Sequence, residues 1–416
     1  MKSKIIKGSI WIFIFLVLLF LSINRHSKTK PFTYHSQLWG DKAGYNVYLP
    51  AAFQYQFDAS LFPKGIDSLT GRGFYFSNDN KVITKYSYGT ALMQLPFWGI
   101  AFLISGDSYA LLNHKAIDFA SVFYLSLGLY FLFQYCLLFF KKHISIMIVS
   151  CIFFCTNLFY YSIFDTGMSH VYSFFLFTLL AYKLQKYQWK SPIYFYGLIM
   201  LISLITVIRP INAVFIMVYL AFYLVQNKHR FNEIKSFILN LKVVLITIFI
   251  VGLIWLPQLL YHFYAFNSPF AYSYKNEGFI YLLSPKIDVL MFSPANGLFL
   301  YFPILLYLIT LSLVKFYSKI EFKFLLIFTL FYIGLYSTWW AYQLGCALGH
   351  RAFVDFLVIT VVPLGLAIKK YPKMSKTLIV ISALYNLKMS FTFDECYYGA
   401  TWDWMAFKDF VFSSIK

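Results

Sequence analysis

The sequence predicts an all-α polytopic membrane protein. It would have about 11–12 transmembrane helices and a first extracytoplasmic loop carrying juxtamembrane helices. Three observations carry this. The 416 residues are 60% hydrophobic, 22% aromatic and only 12% charged, against about 25% charged in a soluble domain. The apolar residues fall into long runs rather than into short periodic stretches. Lys and Arg gather beside alternate ends of those runs, as cytoplasmic loops require.

A bilayer core about 30 Å thick takes roughly 20 helical residues. Runs of that kind lie near 8–24, 117–140, 144–163, 170–186, 193–208, 211–226, 243–262, 296–314, 322–340, 352–368 and 376–393. The first, in MKSKIIKGSIWIFIFLVLLFLSIN, has a basic start and an apolar stretch like a signal peptide. Asn24-Arg25-His26 follows where a small-residue cleavage site would stand, so it reads as a retained first helix.

The basic groups then come in order: Lys2, Lys4 and Lys7; Lys141 and Lys142; Lys183, Lys186 and Lys190. After these come Lys228, Arg230, Lys235 and Lys242; Lys315, Lys319 and Lys323; and Lys369, Lys370, Lys373 and Lys376. Placing all of them inside puts the N-terminus in the cytoplasm and the C-terminal tail outside. One further run, 89–105 (GTALMQLPFWGIAFLIS), breaks that alternation if it crosses. It is short and holds Pro96, so it reads as a helix in the outer interface or one that dips and returns; a full crossing is the alternative.

The expected organisation is a single integral membrane domain over 1–416. Residues 25–116 form the first extracytoplasmic loop, 263–295 the second, and 394–416 a short extracytoplasmic tail. The net charge of +19 sits in short loop clusters, which points to membrane topology rather than to a nucleic-acid partner. Cys136, Cys151 and Cys155 fall in apolar runs as packing residues, whereas Cys346 and Cys396 lie in outer loops and could form a disulfide. No metal-ligand spacing is present, so neither metal nor cofactor is expected. A divalent ion on a single carboxylate stays an open alternative.

With this topology the unusual chemistry collects on the outer side. WGDKAGYNVYLPAA (39–52) follows the first helix and holds Asp41, in a chain with only 16 acidic residues. The same loop holds Asp58, Asp67, Asp79 and Lys85. Later outer turns hold Asp165 and His170, then Arg209, then Lys275 and Glu277, and last Gln343, His350, Arg351 and Asp355.

Each has a plain structural alternative. Asp41 suits a helix N-cap; Asp58, Asp67 and Asp79 sit in turn-rich sequence; Arg209 could snorkel to headgroups; Arg351 and Asp355 are four apart and could pair on one helix face. Lys275 and Glu277 could be solvated loop charge, and His170 a satisfied interfacial side chain. The combination argues further. Ionisable groups near a bilayer are expensive to keep, and several cations with a His on one face suit a phosphate, which Arg meets with a bidentate fork.

Read in order, the motifs WGDKAGYNVYLPA, Lys85 to Phe97 (KYSYGTALMQLPF), SHVYSFFLF, RPINA, FSPANGLFLYFP and WWAYQLGCALGHRAFVDF cover most of the chain. In order and spacing the chain resembles the GT-C glycosyltransferases, in particular bacterial members of the protein mannosyltransferase and aminoarabinose transferase groups. The resemblance implies a polytopic enzyme of the bacterial inner membrane that takes a sugar from a polyprenyl-phosphate donor at the extracytoplasmic face. The acceptor would be the hydroxyl of a lipid, glycan or protein, and membrane lipids would surround the fold. Many relatives carry paired acids early in the first loop, whereas here Lys42 follows Asp41; there is also no large soluble C-terminal domain.

On this reading Asp41 is the catalytic base. Lys85, Arg209, His350 and Arg351 hold the donor phosphate. Tyr45, Tyr48, Asp165, His170, Lys275, Glu277, Gln343 and Asp355 are candidate substrate contacts. The residue types fit the chemistry. A phosphate, whose second pKa is about 6, is a good leaving group, so it needs cations rather than the second carboxyl that a glycosidase uses. In-line displacement inverts the anomeric centre. The alternatives are a lipid-linked-glycan flippase or transporter, and an O-antigen polymerase or ligase type of enzyme.

Overall fold

The computed structural model describes residues 2–186, 192–345, 347–393 and 403–414, without the side chains of residues 2–7, 229 and 238. Cys346 and Cys396, whose pairing the sequence leaves possible, lie outside the described residues, as do Lys190 and residues 394–402 of the tail. The protein is all-α, with a two-stranded hairpin as its sheet. Among the described residues five helices are long and apolar enough to cross a membrane: Gly8–His26, Leu111–Cys136, Leu241–Phe266, Ile320–Ser337 and Arg351–Lys370. Shorter apolar helices stand at Gly89–Ser105, Lys142–Phe154, Pro192–Ile208, Asn212–Gln226 and Pro303–Val314. The chain divides into two compact units, residues 1–128 with 165–273, and residues 129–164 with 274–416.

In the first unit the Pro192–Ile208 helix packs against Leu241–Phe266, His170–Lys186 and Gly89–Ser105. Gly89 permits the last contact, since a Cβ there would stand 2.5 Å from the Ile208 nitrogen. The Leu241–Phe266 helix leaves Leu245, Ile248, Phe249, Leu253, Leu256, Leu260 and Phe263 exposed. A row of bare apolar side chains along a long helix is the surface a bilayer covers.

The first loop folds onto this scaffold. After short helices at Asp41–Asn46 and Tyr48–Phe53, Tyr75–Phe76 pairs antiparallel with Val82–Ile83, in register Tyr75↔Ile83. Tyrosine hydroxyls dock the hairpin on the end of the Leu241–Phe266 helix. Tyr261 accepts from the Thr84 N–H at 2.7 Å and Tyr264 from the Val82 N–H at 2.9 Å. Beneath lies an aromatic core of Tyr48, Tyr55, Phe62, Phe74, Trp98 and Tyr261. Asp58 caps the turn at Ala59–Leu61, and the hydrogen bonds from Ser60 hold its carboxyl below the usual range.

In the second unit Lys142–Phe154 packs on Val361–Lys370 and Pro372–Thr392. Two apolar runs that read as single spans are broken in the structure, and a third changes its pitch. The run at 144–163 stops at Cys155 and restarts as Leu158–Ile163, with the Thr156 hydroxyl accepting from the Leu158 N–H. The run at 296–314 breaks at Phe302, whose backbone leaves the helical region (φ −135°, ψ 67°) before Pro303 starts the next helix. The run at 352–368 begins as a 3₁₀ helix over Arg351–Thr360. The 89–105 run is one helix, continuous through Pro96. Cys136, Cys151 and Cys155 are buried free thiols.

Candidate functional site

Gly40, at φ 56° and ψ −131°, turns the chain so that Asp41 opens the Asp41–Asn46 helix; that backbone region is open essentially to glycine alone. Asp41 is half-buried, and the Tyr86 hydroxyl donates to its Oδ1. The Tyr86 ring lies 4.4 Å from the Tyr45 ring, centroid to centroid, tilted by 46°. On Tyr86 also rests the Lys85 ammonium, 5.6 Å from the ring centroid.

The segment carrying Lys85 and Tyr86 is pinned at its backbone. The Tyr48 hydroxyl donates to the Tyr86 carbonyl at 2.6 Å, and Ser273 Oγ donates to the Lys85 carbonyl at 2.7 Å. Gly44 allows the close approach, because a Cβ there would run into the Gly73 carbonyl and the Tyr86 ring.

The opposite wall is the turn at 165–170, DTGMSH. Asp165 Oδ1 takes the Lys42 ammonium at 2.6 Å, and Lys42 also donates to the Tyr34 carbonyl at 3.2 Å. Gly167 leaves room for this, since a Cβ would sit 2.8 Å from the Lys42 Cβ and 2.5 Å from the Gln37 carbonyl. Ser169 Oγ donates to the Tyr45 hydroxyl at 3.3 Å. Arg209 Nη1 donates to His170 Nδ1 at 3.2 Å; since Arg only donates, this His nitrogen is the acceptor in that bond. Asn212 donates to Ser173 Oγ at 3.2 Å and ties the Arg209 turn to the same helix.

One unit thus gathers Asp41, Lys85, Tyr45, Asp165, His170 and Arg209 through direct or one-residue links. A half-exposed carboxylate beside an aromatic shelf, with a Lys and an Arg at its margins, can accept a proton and can hold an anion. Tyr48 sits lower, buried, with its ring edge-on to Tyr261 at 4.7 Å.

The remaining candidates belong to the second unit. His350 is 2% exposed, with Nδ1 bonded to the Tyr332 hydroxyl and Nε2 at 2.9 Å from the Tyr342 carbonyl. Asn296 holds the loop before it, donating to the Gln343 carbonyl at 2.8 Å and the Gly345 carbonyl at 3.0 Å while accepting from the Gly349 N–H at 3.0 Å. Arg351 is half-buried and Asp355 buried. Because their segment is 3₁₀ rather than α, at three residues per turn positions four apart stand about 120° apart around the axis. Lys275 is exposed at φ 52°, and Glu277 is half-buried with its N–H on the Tyr274 carbonyl. A small cavity lies between Thr156, Asn157, Leu298, Phe302, His350 and Phe353.

Several polar residues that the sequence reading passed over are central to the first unit. Tyr86 is one. Others are His26, Gln37, His114 and Asp118, which form a buried group with Thr166. A lone Asp inside the 117–140 run was the available signal. Among the described residues no three or more His, Cys, Asp or Glu side chains come together as a metal site would require. No protein-family model, curated protein or solved structure matches the chain.

Proposed function

We propose that the protein is an inverting glycosyltransferase of the GT-C kind. It moves a sugar from a polyprenyl-phosphate donor to an acceptor hydroxyl at the extracytoplasmic face of a bacterial inner membrane. The observation that carries the reading is the half-exposed Asp41 carboxylate beside Lys85 and the Tyr86–Tyr45 shelf, with the Arg209–His170 pair linked to that shelf through Ser169.

Asp41 takes the proton of the acceptor hydroxyl as it attacks the anomeric carbon. The bond from that carbon to the phosphate oxygen breaks, and the electron pair leaves with the phosphate. Lys85 and Arg209 stabilise the charge that grows there. The Tyr45 and Tyr86 rings offer faces for the sugar. In this proposal the five shorter apolar helices, together with His170–Lys186 and Pro372–Thr392, also cross or line the bilayer, bringing the spans to about 11–12, and the N-terminus is cytoplasmic.

The test is transfer from a panel of polyprenyl-phosphate sugars by purified protein. Asp41→Asn keeps donor binding and loses turnover; Arg209→Ala weakens donor binding. Full turnover in Asp41→Asn removes the base. The buried His26–Asp118 pair favours a second reading, transport or flipping of a lipid-linked glycan, since ionisable groups inside membrane helices often mark transport paths. Movement of labelled lipid across a vesicle bilayer without any sugar transfer would select it.

A further inference from the structure

Asp118 lies within a membrane-length helix, Leu111–Cys136, and is 1% exposed. Its two oxygens meet three donors from three separate segments. Thr166 Oγ1 donates to Oδ1 at 2.6 Å, and Gln37 Nε2 donates to Oδ2 at 2.7 Å. His26 Nδ1 stands 3.1 Å from Oδ1 and 3.0 Å from the Ser22 carbonyl, so with acceptors on both sides that nitrogen carries the proton. Three donors on one buried carboxyl are what an ionised carboxylate accepts, and a buried charge persists only where such partners satisfy it.

The arrangement has a direction. Thr166 follows Asp165, which holds Lys42, the neighbour of Asp41. Gln37 begins the stretch that leads to Asp41, and its carbonyl packs on Gly167 of the same turn. Gln37 Oε1 in turn faces His114 Nδ1 at 3.2 Å; with the Gln37 amide committed to Asp118, His114 must donate. Its other nitrogen, Nε2, is buried and has no partner among the described residues.

We infer that Asp118 is a positioning residue. Its ionised carboxylate fastens the first helix, the start of the first loop and the 165–170 turn together, and so fixes Lys42 on Asp165 and Asp41 beside Tyr86. Its catalytic meaning rests on the transferase reading; the clasp itself does not.

The chemistry of substitution follows from the donors. In Asp118→Asn an amide N–H₂ faces the Gln37 amide. Relief requires Gln37 to flip, which turns its N–H₂ on His114 and drives the His114 proton onto the partnerless Nε2. The turn loosens instead, and Lys42, 4% exposed, becomes accessible. Gln37→Glu together with Asp118→Asn restores every bond. The new amide at 118 donates to the carboxylate at 37, which still accepts from His114, and the amide oxygen still accepts from Thr166 and His26. Gln37→Glu alone sets two carboxylates against each other.

The experiment reads Lys42 acylation by an amine-reactive ester with peptide mass spectrometry, the other lysines serving as internal standards, on the full chain in lipid nanodiscs. Asp118→Asn raises Lys42 labelling about tenfold or more, as expected for loss of a hydrogen bond to a charged group. Thr166→Val, which removes one donor and leaves the charge, gives a smaller rise. The Gln37→Glu/Asp118→Asn pair returns labelling to the wild-type level, and sugar transfer falls and recovers in parallel. A second substitution that merely added damage would not produce that recovery. Lys42 as protected in Asp118→Asn and Thr166→Val as in wild type, or a double variant no better than Asp118→Asn, overturns the inference. If wild type transfers no sugar, the transferase reading falls while the Lys42 pattern still decides the clasp.

Discussion

The Lys42–Asp165 pair offers the sharpest energetic test of how the first unit holds its candidate site. The ammonium is 2.6 Å from Oδ1, and the side chains are 4% and 17% exposed. Removing one partner of a fully buried pair costs about 3–5 kcal/mol, because the other charge stays behind without compensation. Asp165 keeps some contact with solvent, so the expected loss for Lys42→Met or for Asp165→Asn is about 2–4 kcal/mol. The double variant removes both charges and should unfold within about 1 kcal/mol of wild type, since buried pairs are close to neutral against uncharged replacements of similar volume. The coupling in the double-mutant cycle is then at least about 3 kcal/mol. Unfolding by SDS titration in mixed micelles, followed by circular dichroism, gives the four free energies. Raising the salt concentration should change the coupling little, because buried pairs are poorly screened. Losses that add, with a coupling below about 0.5 kcal/mol, would refute the claim that these two charges are desolvated together.

Gly44→Ala places a methyl against the Gly73 carbonyl and the Tyr86 ring. It should destabilise by about 1–3 kcal/mol and lower transfer at least as much as Tyr86→Phe, since both part Tyr86 from Asp41; transfer at wild-type level in both would argue against that contact. Asn296, with φ 66°, pins the 343–349 loop through three hydrogen bonds. Asn296→Ala should cost about 2–3 kcal/mol and speed amide exchange at Gly349, and Asn296→Asp, which lacks the two donors, should not restore it. Burial pushes the Tyr88 phenol up to about 12, where its hydroxyl donates to the Ile254 carbonyl. The unfolded phenol ionises near pH 10, so its contribution is fully present below that pH and is lost as pH rises toward about 12. Tyr88→Phe should flatten that alkaline fall in stability, and an unchanged slope would assign the fall to other groups.

How much of this was legible in the sequence depended on the range of the cause. Apolar runs located the helices because each run must satisfy its own backbone and bury or bathe its own side chains, which is a local matter. The breaks were less legible. Pro303 stood in plain view, yet the average over 296–314 hid a non-helical Phe302 before it. Thr156 and Asn157 interrupt 144–163 through a side-chain bond to the Leu158 N–H, which hydropathy does not register. Asp41 attracted notice because an acid beside a membrane is rare. Tyr86, which bonds to it, did not, because a tyrosine in an aromatic-rich chain is common. Asp118 escaped for a related reason: one carboxylate inside 117–140 barely lowers the mean, while its partners lie 48, 81 and 92 residues away along the chain.

Those separations bear on why the site stands where it does. A carboxylate in the middle of a membrane helix finds no donor in its own backbone, because the helix N–H groups are already used. It must reach another segment, and every such bond closes a long loop. The 165–170 turn collects four of these closures: Asp165 to Lys42, Thr166 to Asp118, Ser169 to Tyr45 and His170 to Arg209. Apart from Met168 its residues are small or polar, and Gly167 lets the Lys42 stem and the Gln37 carbonyl come close. A larger residue at that point would push apart the two groups that set Asp41 in place. Gly167→Ala is therefore the substitution through which fold and site should fail together, with Lys42 exposed and transfer lost in one step. A Gly167→Ala protein that kept Lys42 protected yet lost transfer would instead put the 165–170 turn in direct contact with substrate.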